Sequence, residues 1–267
     1  MTRLEGLLCA ARAEGRTLLM AYLCAGDPTP EESARALLRA GAAGADILEV
    51  GWPFSDPVAD GPVIQAASQR ALPHTGRAEV LAVVREVRRG TEAPIAVLGY
   101  CNPLLRGGVE RTAGELAQAG ADALVVADLA FEESGPWRAA CRAAGISLVP
   151  FVAPTTSGRR LEAIAQAADS FVYAVAAFGV TGRREGQSDA ILPVVAALRR
   201  LTERPVLAGF GIGDGEGAAL WRRRGLDGVI VGSALVQALG AGGAQAVADL
   251  VREVRQGLDR AGSQTVD

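Results

Sequence analysis

Glu49 stands one residue from the end of a largely apolar run, Ala45–Val50. The segment that follows, GWPFSDPVADGPVIQ, sets Asp56 and Asp60 among prolines and glycines. A carboxyl removed from water keeps its proton to higher pH, so it can hold or release one near neutrality. In an extended strand Ile47 and Glu49 share one side and Leu48 and Val50 the other. If Leu48 and Val50 lie against helices, Glu49 faces inward. A buried ion pair would also account for such a residue, yet no neighbouring apolar run carries a basic side chain. Asp60 has two readings. It is the second carboxylate of an acid/base site, or the cap of the helix that begins at DGPVIQAASQRAL. Asp56 reads as a structural or interaction residue.

Three glycine-bearing segments come late in the chain, around Gly179–Gly182, Gly209–Gly211 and Gly232–Ser233. Each glycine alone is an ordinary turn residue. Together, after three successive apolar runs, they suit an anion held by backbone N–H groups at a helix start. Other catalytic chemistries lack their residues. The single histidine, His74, sits in a Pro/Gly turn and reads as exposed and structural, and all 27 basic residues are arginine. Ser-His-Asp catalysis, a lysine imine and covalent pyridoxal phosphate on this chain are therefore excluded. Cys9, Cys24, Cys101 and Cys141 show no C-x-x-C spacing, so neither a zinc site nor a disulfide framework is expected.

What must position these residues is a repeated unit. AGAAGADILEV, AQAGADALVV, CRAAGISLV and RRRGLDGVIV each join a helix end, rich in small residues and glycine, to an apolar run. Eight such runs are expected as strands: 18–23, 45–50, 94–98, 123–126, 147–152, 171–175, 205–208 and 228–231, each followed by a helical stretch. Unbroken apolar strands alternating with helices predict a parallel sheet buried on both faces. At 267 residues they predict a single (β/α)8 TIM barrel over residues 1–267, with an open doubly wound sheet as the alternative. An extra amphipathic helix precedes the first strand. The net charge of −3 and the lack of a basic stripe argue against nucleic acid. No apolar run is long enough to predict a membrane span, so a soluble, cytoplasmic protein is expected.

The motifs fall into one pattern. AGDPTPEES after the first expected strand, LExG with PFSDPxADGPxIQ at the second, and YCNPLLRGGVER, VADLAFEES, VAPTTS, GVTG, GFGI and DGVIVGSALV at the six that follow resemble the tryptophan synthase alpha subunit family over essentially the whole chain. The resemblance implies retro-aldol cleavage of indole-3-glycerol phosphate to indole and glyceraldehyde 3-phosphate. It makes Glu49 and Asp60 the catalytic pair and requires no metal or organic cofactor. It implies an indole slot lined by Tyr22, Leu98, Tyr100, Val125, Ala127, Tyr173, Phe210 and Ile230, with Thr181 meeting Asp60 from a lid. It places the phosphate on Gly182, Gly211, Gly232 and Ser233, and has Asp128 help position the acid loop. Pro53 and Asp56 would touch a pyridoxal-phosphate beta subunit. A stand-alone lyase releasing indole and a non-catalytic phosphate-binding regulatory subunit are the alternatives. Trp52, Gly99, Ala130 and Ala176–Phe178 depart from the family's usual residues.

Overall fold

Short runs of Val, Ile, Leu and Ala form nine parallel strand segments in the computed structural model, which describes residues 1–175, 188–209 and 211–263. They are β1 (Leu18–Cys24), β2 (Ile47–Gly51), β3 (Ile95–Gly99), β4 (Ala123–Val126), β5 (Ser147–Val149), β6 (Phe151–Val152), β7 (Val172–Ala174), β8 (Val206–Ala208) and β9 (Gly228–Val231). Their order across the sheet is β5-β4-β3-β2-β1-β9-β8-β7-β6. The two end segments, β5 and β6, are one strand interrupted at Pro150, so the sheet closes on itself as the expected eight-stranded barrel. Proline has no N–H to give the ladder, but the Pro150 carbonyl still accepts from the Tyr173 amide at 2.9 Å. The open-sheet alternative is thereby removed.

Register decides what faces the interior. Tyr22 pairs with Glu49, and Glu49 with Ala96. Two residues further along, Gly51 pairs with Leu98 and Leu98 with Val125. On the other side Met20 pairs with Ile230, Gly228 with Leu207, Leu207 with Tyr173, and Tyr173 with Phe151. Paired residues in a parallel sheet share a face and side chains alternate along each strand. Tyr22, Glu49, Leu98, Val125, Tyr173 and Ile230 therefore all belong to one face, the inside of the barrel. Leu48 takes the outer face and packs on the helix Pro30–Ala42, where a Cβ on Gly41 would lie 3.5 Å from its Cδ1.

The repeated G-x-D that precedes β2, β4 and β9 also has a physical role. Asp46 accepts the free amide of Leu19 at 2.8 Å, Asp122 that of Ile95 at 2.9 Å and Asp227 that of Val206 at 2.8 Å. Each aspartate thus satisfies the N-terminal end of the neighbouring strand, and each pairs with arginine: Asp46 with Arg16 and Arg255, Asp122 with Arg88 and Arg3, Asp227 with Arg199. Asp122→Ala would leave the buried Ile95 amide without its acceptor and Arg88 without its carboxylate, although the guanidinium keeps the Thr91 and Ala93 carbonyls. A loss of about 2–4 kcal/mol in urea unfolding is expected.

The first helix, Arg3–Ala13, opens on a capping box between Thr2 and Glu5 and buries Leu4, Leu8 and Ala11. Arg3 reaches Glu92 and Asp122, and Arg12 reaches Glu203. Those acids precede β3, β4 and β8, so the helix lies across the N-terminal end of the barrel, as expected of an added helix. The last helical stretch, Ser233–Ser263, has the length and hydropathy of a membrane span. It is broken by non-helical backbone at Gly242 and Gly243, and its stripe of Val247, Val251, Val254 and Leu258 is buried in the core of this chain. It packs on the helices Pro30–Ala42 and Gly215–Arg223. Contact with the second is so close that a Cβ on Gly257 would fall 2.0 Å from the Gly215 carbonyl oxygen.

Candidate active site

In the middle of β2, two residues before its C-terminal end, the chain places Glu49 fully out of solvent, at 0% exposure. Neither carboxyl oxygen has a hydrogen-bond partner among the described residues, so the ion-pair reading of the sequence finds no support there. Burial pushes the Glu49 carboxyl up to about 8, and the negative charge of Asp60 adds to the rise. At neutral pH Glu49 carries its proton in a pocket that offers no competing partner. That is the condition of a general acid.

Asp60 belongs to the loop that leaves β2. The helix Pro62–Ala71 takes Gly61 as its N-cap with no side-chain cap bond, so Asp60 is not the cap that the sequence allowed. The backbone of Asp60 is fixed instead: its amide donates to the Pro57 carbonyl at 2.9 Å and its carbonyl accepts from Gln65 Nε2 at 2.8 Å. Its half-buried side chain is then free to face the barrel mouth. Burial raises the Asp60 carboxyl to about 6, opposed by a hydrogen bond from the Tyr100 hydroxyl. The same hydroxyl accepts the Ala59 amide at 3.1 Å. Burial thus holds both carboxyls above the ordinary range, Glu49 further than Asp60, so the two differ in how firmly each keeps its proton near neutrality.

Around them the inner face of the barrel is lined mainly by apolar side chains. Leu98, Val125 and Ile230 are buried on the inner face, with Ala127 half-buried just past β4. Tyr22 and Tyr173 are buried too, and both phenols are held well above the usual range, first by burial and then by neighbouring negative groups that include Glu49 and Asp60. The Tyr173 ring stacks at 4.8 Å on Phe151. Tyr22 lies over Gly51, where a Cβ would sit 2.2 Å from its hydroxyl. Sequence reasoning passed over Gly51, because its need to be glycine appears only once β1 and β2 are in register. Asp128 accepts the Cys101 amide at 2.7 Å and so fixes the chain just after Tyr100. His74 is exposed, with Nε2 2.8 Å from the Gly26 carbonyl, and it plays no part in the mouth.

Of the phosphate candidates, Gly211 is exposed with φ +51°. Gly232 lies beside Tyr22, its carbonyl accepting the Val236 amide at 3.0 Å as the helix from Ser233 begins. Thr181, Gly182 and Phe210 lie outside the described residues. Of the two expected partner contacts, Asp56 is exposed while Pro53 is buried within this chain.

The sequence profile of the family described as tryptophan synthase alpha chain matches residues 8–261. The chain belongs to the tryptophan synthase alpha chain family. It is 44% identical to the tryptophan synthase alpha chain of Synechococcus elongatus over 97% of this chain and 98% of that one. To that of Alkalilimnicola ehrlichii it is 45% identical, covering 97% of each. Among solved structures, a chain of Mycobacterium tuberculosis tryptophan synthase superposes with a TM-score of 0.89 at 36% identity, over 96% of this chain and 98% of that one. The alpha chain from Legionella pneumophila gives 0.87 at 32% identity, over 99% and 100%. As an alpha chain, this one carries its departures mainly at the edge of the mouth. Trp52 is buried beside Gly99, Ala130 is exposed, and Ala176–Phe178 lie outside the described residues.

Proposed function

We propose that this alpha chain cleaves indole-3-glycerol phosphate by proton transfer through Glu49, with Asp60 as the charged companion. The observation that carries the reading is a fully buried carboxyl with no hydrogen-bond partner among the described residues, its proton held to higher pH by burial, beside the second raised carboxyl of Asp60. Glu49 gives its proton to C3 of the indole, and the ring becomes an electron sink. The resulting carboxylate takes the proton of the adjacent glycerol hydroxyl. The bond between that carbon and C3 then breaks: its electron pair returns to the ring, the hydroxyl oxygen becomes the aldehyde carbonyl, and Glu49 ends protonated as it began. Asp60 faces the indole N–H, where positive charge develops while C3 is tetrahedral, and a site closed to water strengthens that attraction. Backbone amides at Gly211, Gly232 and Ser233, with Gly182, hold the phosphate; Leu98, Val125, Ala127, Tyr22, Tyr173, Phe210 and Ile230 hold the ring. Thr181 closes over Asp60.

The chain works in the cytoplasm as the alpha subunit of a complex with a pyridoxal-phosphate beta subunit that consumes the indole. Exposed Asp56, on the loop that carries Asp60, is the contact through which docking reaches the site; buried Pro53 shapes that loop from beneath. Loop closure completed by a partner raises turnover by assembling the site. The lyase rate is therefore expected to rise on addition of a cognate beta subunit, and the rise should shrink in Asp56→Ala. A fast isolated chain with no stimulation and no co-elution with the beta subunit would favour the stand-alone lyase.

A further inference from the structure

The loop between β2 and Asp60 is fastened along its length to residues 98–100, beyond the point where the β2–β3 ladder ends at Gly51 and Leu98. The Trp52 amide donates to the Leu98 carbonyl at 2.7 Å. The Trp52 side chain is buried, at 6% exposure. Its Cβ lies close to residue 99, which has no side chain: a Cβ on Gly99 would lie 3.3 Å from Trp52 Cβ and 3.1 Å from Leu104 Cδ1. Above the indole lies the Arg77 guanidinium, 5.6 Å from the ring centre, itself held by Glu115 at 2.6 Å and Thr112 at 2.8 Å. Two residues on, the Phe54 ring packs at 5.3 Å on Tyr100. Tyr100 in turn binds the Ala59 amide and the Asp60 carboxylate.

We infer that Trp52 and Gly99 are a positioning pair for the lyase reaction: the close approach of the Trp52 Cβ that glycine at 99 permits, with the indole held under Arg77, sets the angle at which the loop leaves β2 and so the place Asp60 takes in the mouth. The inference rests on the proposed role of Asp60. A buried indole held in this way, with no side chain at 99 to push it off, fixes a direction that a small residue at 52 would leave to the loop. Displacement of a catalytic group by about 1 Å costs on the order of 10²-fold in rate. Neither residue touches the slot, so the effect falls on turnover more than on substrate affinity.

The experiment compares Trp52→Val, Trp52→Phe, Gly99→Met and the double variant Trp52→Val/Gly99→Met in the full chain. With indole-3-glycerol phosphate, Trp52→Val and Gly99→Met should each lose about 10-fold or more in kcat with KM changed less than about 3-fold. Trp52→Phe, which keeps an aromatic plug, should retain most of the rate. Both changes act on the same departure of the loop from β2, so the double variant should lose less than the two single losses multiplied together. A second readout needs no turnover: carbon-detected titration of the Asp60 carboxyl in the free protein, whose facing groups are Tyr100 and the more distant Glu49, Tyr22 and Tyr173. In Trp52→Val the midpoint should fall from about 6 toward the ordinary aspartate range as the loop loosens into water. If wild type cleaves no substrate, the proposed role of Asp60 fails, but the titration still decides the pair's action on its position. An unchanged Asp60 midpoint in a folded Trp52→Val, or kcat losses that simply multiply in the double variant, would overturn the inference.

Discussion

Glu49→Gln is expected to lower the lyase rate by about 10²–10⁴-fold, the usual cost of removing a general acid, while the substrate still binds. The amide keeps the shape of the side chain and withholds the proton. The pH profile of kcat should change with it. In the wild type, activity requires protonated Glu49 and ionised Asp60, so it should fall above about 8 and below about 6. The alkaline limb should vanish in the variant. Stability should move the other way. The folded Glu49 carboxyl titrates above its unfolded value of 4.5, so between that value and about 8 the folded state binds more protons and stability falls as pH rises. Above about 8 the whole cost of a buried charge is present. Glu49→Gln removes it and should therefore be more stable than wild type, by a margin growing to several kcal/mol from pH 5 to pH 8. Wild-type turnover in a folded Glu49→Gln would remove the proposed mechanism.

Gly232→Asp is expected to abolish binding of indole-3-glycerol phosphate without unfolding the barrel. A Cβ at Gly232 would meet only the Tyr22 ring at 3.4 Å and Ile64 at 3.5 Å, both ordinary contacts. The fold can take the side chain, and circular dichroism should be unchanged. The carboxylate, however, would stand at the start of the helix from Ser233 where the dianion is proposed to sit. Opposed like charges cost several kcal/mol, about a 100-fold or greater loss of affinity, read by calorimetry with substrate or with inorganic phosphate. Retained affinity would place the phosphate elsewhere.

The barrel was legible in the chain because strands buried on both faces need no alternation: ADILEV, PIAVL and GVIV read as strands from composition alone. Glu49 was legible for the complementary reason, a charge where the period leaves room for none. Asp60 was not separable from a helix cap, since the choice turns on where the helix begins, at Gly61, and its side-chain partner Tyr100 is brought in from a different strand end. The break at Pro150 was visible as a proline, yet its consequence, two strand segments closing the ring, depends on partners on both sides. Likewise the echo of helix end, glycine and apolar run stood out as a repeat, while the work of the aspartate in three of its copies on Leu19, Ile95 and Val206 required register. Gly51 carried no signal of its own.

The most direct test of the proposed chemistry is product analysis with the purified chain and indole-3-glycerol phosphate, with no other protein or cofactor added. Indole and glyceraldehyde 3-phosphate should appear in equal amounts, at a rate that follows the protonated fraction of Glu49 and collapses in Glu49→Gln. Substrate bound but uncleaved at every pH between 5 and 9, with or without the beta subunit, would contradict it.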